Sequence, residues 1–152
     1  MSDQFRIEER ASQPTLTVRE RVPRAEMVNL FDRGFSSVIQ RLAELGEEPA
    51  GPAFAYYHNL DMQHPDLEVG FPVSRKLEDS GEIKSSTLPG GTYCSTIYMG
   101  SYDGLPRAWA EATAYATEQG HTLDEYAIEF YITNPMEVAP DENQTEIVLS
   151  LK

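Results

Sequence analysis

The stretch 105–133, LPRAWAEATAYATEQGHTLDEYAIEFYIT, places a helix directly ahead of a strand. Leu105, Trp109, Ala112 and Ala116 recur at steps of four and three, the spacing that lines up side chains on one helix face. Gly120 then supplies the residue that most easily adopts the left-handed conformation closing a helix. Pro106 sits in the first turn, where its missing N–H is one that a helix leaves unused. From Ala127 the period changes to two, so Ile128, Phe130 and Ile132 share one side of a strand and Ala127, Glu129 and Tyr131 the other. The fully apolar set reads as the core face. Glu129 then lies mid-strand on the opposite side, next to Tyr131.

Sliding the chain by 74 residues finds the same device again, with Phe35 on Trp109, Val38 on Ala112, Leu42 on Ala116, Gly46 on Gly120, Ala55 on Glu129 and Tyr57 on Tyr131. Phe31, Phe35, Val38, Leu42 and Leu45 form the stripe of this first helix. Two extended stretches joined by a turn precede each helix: Gln4 to Glu9 with Thr15 to Val22, and Glu82 to Leu88 with Thr92 to Met99, the latter pair around Pro89-Gly90-Gly91. Two more follow each: Ala53 to His58 with Leu67 to Val73, and Ala127 to Thr133 with Thr145 to Leu151. The plan is a hairpin-helix-hairpin unit used twice. It predicts an α+β fold with an eight-stranded, largely antiparallel sheet, two helices on one sheet face and pseudo-twofold symmetry. A single domain over 1–152 is expected, with pseudo-repeats of about 1–78 and 79–152, because the joint at Asp79-Ser80-Gly81 is too short for a flexible linker.

The 152 residues carry 12 basic and 25 acidic side chains, a net charge of −13. Residues 1–76 contribute 9 − 12 = −3 and residues 77–152 contribute 3 − 13 = −10. Such a surface argues against direct nucleic-acid binding, which relies on clustered Lys and Arg. Most of these carboxylates read as solvated surface charge. One cysteine excludes an internal disulfide, no apolar run approaches the ~20 residues of a membrane span, and the start MSDQFRIEER lacks a secretory apolar stretch. A soluble, cytoplasmic protein without membrane association is the expectation.

A carboxylate withdrawn from water among tyrosines and alanines has specific chemical value. It is costly unless paired, so it favours a cation or a hydrogen-bond donor, and aromatic faces add cation–π attraction of about 0.5–2 kcal/mol. Flat lipophilic cations are the ligand class this suggests. Glu129, Tyr131 and Tyr57 are the candidate pocket residues, with Tyr56, Tyr93, Phe71 and Trp109 as further aromatic candidates. The competing reading is that Glu129 pairs with Arg19 or Arg21 across the sheet and the aromatics simply pack.

Three separated motifs carry a family resemblance: Gly51-Pro52-Ala53-Phe54-Ala55-Tyr56-Tyr57-His58, Leu67-Glu68-Val69-Gly70-Phe71-Pro72-Val73, and Glu129-Phe130-Tyr131-Ile132-Thr133-Asn134-Pro135 followed by Thr145-Glu146-Ile147. In this order they resemble the GyrI-like, or AraC-type effector-binding, domain family over nearly the whole chain. The resemblance implies an SHS2-like duplication and a small-molecule site near the pseudo-dyad, with Glu129 at the position of the acidic group that multidrug-sensing bacterial transcription regulators use. No helix-turn-helix segment accompanies it here, so the chain reads as a free-standing version. Free-standing relatives imply two further roles. One is a gyrase-inhibitor-like interaction with a protein partner, and the other is hydrolysis of reactive cyclopropane compounds, with Glu129 orienting water. The leading expectation is a binding protein rather than an enzyme, with no cofactor and no metal.

Other motifs are set aside. His58, Asp61, His64 and Asp66 fit no common zinc spacing and read as a solvated loop. Cys94 reads as a small buried hydrophobe. Asn143-Gln144-Thr145 matches the glycosylation pattern, which matters only in a secreted chain, and Gly90-Gly91 is a turn rather than a phosphate loop.

Overall fold

The structure is a computed structural model that describes residues 5–134 and 137–152. Gln4, the expected start of the first strand, and Pro135 of the third motif lie outside the described residues. The strands are β1 (Phe5–Arg10), β2 (Gln13–Arg21), β3 (Ala53–Tyr57), β4 (Asp66–Pro72), β5 (Lys84–Leu88), β6 (Gly91–Met99), β7 (Leu123–Tyr131) and β8 (Gln144–Leu151). The helices are α1 (Met27–Glu44) and α2 (Leu105–Glu118). The α+β class and the twice-used element order are those read from the sequence. Gly46 and Gly120 follow the helices with φ of 68° and 85°, the left-handed geometry for which glycine is suited.

The chain forms two compact units, one from the residues up to Arg10 together with Gly91–Lys152, the other Ala11–Gly90. In the first, four antiparallel strands run in the order β1-β6-β8-β7. In the second the order is β3-β4-β2-β5. The turns before each helix redirect the chain without folding their own strands together: β1 lies on β6, and β5 lies on β2. This exchange suits the side chains. In β1, Ile7 stands opposite Cys94, and both Phe5 and Ile7 pack on the apolar cluster beneath α2.

That cluster joins Ala108, Ala112 and Ala116 of α2 to Cys94, Ala127, Ile147, Leu149 and Leu151. Ala127 therefore faces the helix, and with it Glu129 and Tyr131. The expected core face of Ile128, Phe130 and Ile132 is therefore the sheet face away from α2. Ile128 and Phe130 are buried on the far face, and Ile132 is 41% exposed. Alternation determines which residues share a face, not which face the helix takes, and three alanines on α2 fit over a small Ala127.

In the second unit α1 buries Leu30, Gly34, Val38 and Leu42, so its core stripe is rotated from the one expected. Phe31 and Phe35 are half-buried and Leu45 is 38% exposed. Gly34 explains the rotation: a Cβ there would sit 2.2 Å from Cγ2 of Val69 on β4, so the helix approaches the sheet along its glycine.

Candidate functional site

Within the first unit, β7 and the start of α2 assemble one polar cluster around a buried carboxylate. Glu129 is 4% exposed. Trp109, one turn into α2, donates its indole N–H to Glu129 Oε2 at 2.6 Å, and the Tyr131 hydroxyl donates to Oε1 at 2.8 Å. Residues two apart on a strand share a face, so Tyr131 and Glu129 meet by strand geometry alone. Hydrogen bonds to an ionised carboxylate contribute about 1.5–3 kcal/mol each, enough to offset part of the cost of burying the charge.

Tyr102 was not anticipated. It opens the 3-10 turn Tyr102–Gly104 ahead of α2, is 41% exposed, and meets the Tyr131 ring edge-on with centroids 6.2 Å apart. Burial pushes its phenol pKa up, and the negative charge of Glu129 adds to the shift. The sequence did hold a signal for it: Tyr102, Leu105 and Trp109 continue the α2 stripe at steps of three and four.

The other candidates are described within their own units. Tyr93 shares the unit but, next to Cys94 of the α2 cluster in strand alternation, falls on the sheet face away from α2. Tyr56, Tyr57 and Phe71 belong to the second unit, where Tyr56 stacks on His58 at 4.1 Å and Phe71 meets Phe35 edge-on at 6.0 Å. The arginines weighed as partners for Glu129 serve other acids: Arg19 pairs with Asp66 at 2.9 Å and Arg21 with Asp61 at 3.1 Å.

A second glutamate is buried in the other unit. Glu68 is 5% exposed, accepts from Thr17 Oγ1 at 2.7 Å, and lies 2.8 Å from His58 Nε2. The loop acids likewise serve the fold, Asp61 accepting from the backbone N–H groups of Gln63 and His64. No group of three or more potential metal ligands occurs among the described residues. Cys94 is buried, and burial pushes its thiol pKa up. Asn143 of the glycosylation pattern is only 5% exposed and hydrogen-bonds Thr133.

The sequence matches the description "GyrI-like small molecule binding domain" over residues 3–152. The chain belongs to the GyrI-like family. It is thus a small-molecule-binding domain in its general role, and the resemblance read from the three motifs holds. No curated protein matches this GyrI-like chain. Among solved structures, it resembles EcmrR in a complex with DNA, with a TM-score of 0.81 and 22% identity, covering 98% of this chain and 57% of that one. The EcmrR C-terminal domain alone gives 0.79 and 20%, with 98% and 97% covered. A hydrolase from Listeria innocua gives 0.68 and 12%, with 98% and 92% covered. SAV2435 bound to tetraphenylphosphonium gives 0.67 and 12%, with 97% and 93% covered. At these identities the likeness is one of fold. No helix among the described residues is long and apolar enough to cross a membrane.

Proposed function

We propose that this GyrI-like domain captures lipophilic aromatic cations, with the Glu129 carboxylate as acceptor and Trp109, Tyr131 and Tyr102 as aromatic walls. One observation carries the reading: a carboxylate 4% exposed has both oxygens held by the polar tips of two partly buried aromatic side chains. That arrangement fixes a negative charge beside aromatic faces, the combination that favours a cation able to shed its water. The relative SAV2435 bound to tetraphenylphosphonium supports the same ligand class. Trp109 is the single tryptophan of the chain, so its fluorescence reports on the site directly. Glu129→Gln should weaken cation-induced quenching about tenfold or more, the loss of one charge-assisted contact. Equal affinity of mutant and parent across a panel of cationic dyes would remove Glu129 from the site.

The Tyr131–Glu129 hydrogen bond favours a second reading, hydrolysis of reactive lipophilic compounds, because it positions a carboxylate to accept a proton from water. The Listeria relative described as a hydrolase supports it. Under this reading Glu129→Gln abolishes turnover while binding is partly kept.

A further inference from the structure

The turn that carries Tyr102 runs from Gly100 to Gly104, between the end of β6 and the start of α2. Two donors converge on its Ser101 carbonyl: the Gly104 N–H at 3.1 Å, which closes the 3-10 turn, and the Tyr98 hydroxyl at 2.8 Å. Tyr98 is thus a side-chain latch on the turn, reaching it from β6. Its own place is fixed by the sheet and by α2. It packs on the apolar cluster beneath the helix and stands opposite Thr145, which in turn stands opposite Tyr131, so both tyrosines lie on the α2 face. The glycines at the ends of the turn make room for it. A Cβ at Gly100 would lie 2.5 Å from the Tyr98 Oη, and one at Gly104 would overlap that oxygen and lie 2.9 Å from Cζ. Gly104 has φ −87° and ψ −4°, a turn conformation compatible with most residues, so the phenol rather than the backbone calls for glycine there. The turn is also tied to the end of β7: the Gly100 N–H donates to the Asn143 carbonyl at 2.8 Å, and Asn143 Oδ1 accepts from the hydroxyl of Thr133, two residues beyond Tyr131, at 3.3 Å. What the turn presents is Tyr102, its ring edge-on to Tyr131. Burial, and after it the charge of Glu129, raise the Tyr102 phenol pKa, so the ring stands within the field of the carboxylate.

We infer that Tyr98 is a positioning residue of the Glu129 site: its hydroxyl, through the Ser101 carbonyl, sets Tyr102 against Tyr131 and so shapes the aromatic wall that a ligand meets. The ligand half of the inference rests on the proposal that this site binds lipophilic cations, whereas the placement of Tyr102 does not. An edge-on pair of rings is a directional contact, and cation–π attraction depends on where the aromatic face stands. A turn released from its latch loses that geometry while the helix and the sheet keep theirs.

The test uses Tyr98→Phe, which keeps the ring on the apolar cluster and removes only the donor. In the ligand-free full chain, NMR should show NOEs between the Tyr102 and Tyr131 rings in the parent and their loss in Tyr98→Phe. Gly104→Ala, which displaces the phenol by another route, should lose them too. With tetraphenylphosphonium as the probe and Trp109 quenching as the readout, Tyr98→Phe should bind about fivefold more weakly, the worth of one hydrogen bond. In a Tyr102→Ala background the same substitution should change affinity by less than about twofold, because the latch then has no ring to place. NOEs retained in either variant overturn the inference. An equal loss of affinity in both backgrounds overturns it as well, since Tyr98 then supports the fold at large, and so does a Tyr98→Phe chain that binds as the parent does; both leave the binding proposal standing. A parent whose Trp109 is not quenched overturns the binding proposal and with it the ligand half of this inference, and the NOEs still decide whether Tyr98 places Tyr102.

Discussion

Among the described residues two glutamates are buried on strands, and their partners differ in kind. Glu129 is held by aromatic donors, Trp109 and Tyr131. Glu68 is held by Thr17 and His58, groups that belong to the fold of its own unit. Burial works against ionisation of Glu68, but hydrogen bonds from His58, Ser86 and Thr17 outweigh it and hold the carboxyl below its ordinary value. A carboxyl whose folded pKa is depressed contributes stability that is present above its unfolded pKa and lost as pH falls through the folded one. Glu68→Gln should therefore cost about 1–3 kcal/mol at pH 7, the penalty for disturbing a buried charged hydrogen-bond set. The gap between parent and mutant should narrow as pH drops below about 4.5 and through the folded value. Urea unfolding from pH 7 to pH 2.5 checks this, and a gap independent of pH would show that Glu68 is not the ionised acceptor. Of these two residues only Glu129 was legible in the sequence. It lies between Ala127 and Tyr131 on its strand face, whereas Glu68 alternates with Asp66 opposite the apolar set Leu67, Val69 and Phe71, the pattern of a solvent-facing side.

At the scale of elements, periodicity and punctuation were enough to place both helices, their closing glycines and the order of all eight strands. Two things were not legible. The turns at Ala11-Ser12 and Pro89-Gly90 specify a change of direction but not a ladder partner, so the pairing of β1 with β6 and of β2 with β5 was hidden. The core stripe of α1 differs from the one the sequence predicts because phenylalanines outrank glycine in any apolar count, while packing rewards close approach. Gly34 tests this. On helix propensity alone, Gly34→Ala should stabilise by about 1 kcal/mol. Here the added Cβ would lie 2.2 Å from Cγ2 of Val69, a stiff β-branched side chain that is completely buried. Overpacking of this kind costs about 1–3 kcal/mol, so the net effect should be destabilising. Thermal unfolding of Gly34→Ala, Val69→Ala and the double variant checks it. The double variant should lose less than the two single losses combined, because the alanine methyl fills space that Val69 vacates.

For the whole molecule the first fact was a charge of −13, concentrated in residues 77–152. The compact units redistribute that asymmetry. The unit containing Glu129 gains the β1 end of the chain and carries 4 − 13 = −9, against 8 − 12 = −4 for the other. The carboxylate with aromatic donors thus sits in the more acidic unit, a field that draws cations in from beyond contact range. Screening separates this long-range contribution from contacts made within the site. The Debye length falls from about 30 Å at 0.01 M salt to about 3 Å at 1 M, so diffuse attraction vanishes while desolvated contacts persist. Stopped-flow quenching of Trp109 should show the association rate for a lipophilic cation falling about tenfold over that range. The dissociation rate should change little if the ligand is held, as proposed, by Glu129 and its aromatic partners. A neutral aromatic of the same shape should show no such dependence. If the cation associates equally fast at both salt concentrations, the surface carboxylates serve solubility alone and recognition rests on the buried glutamate by itself.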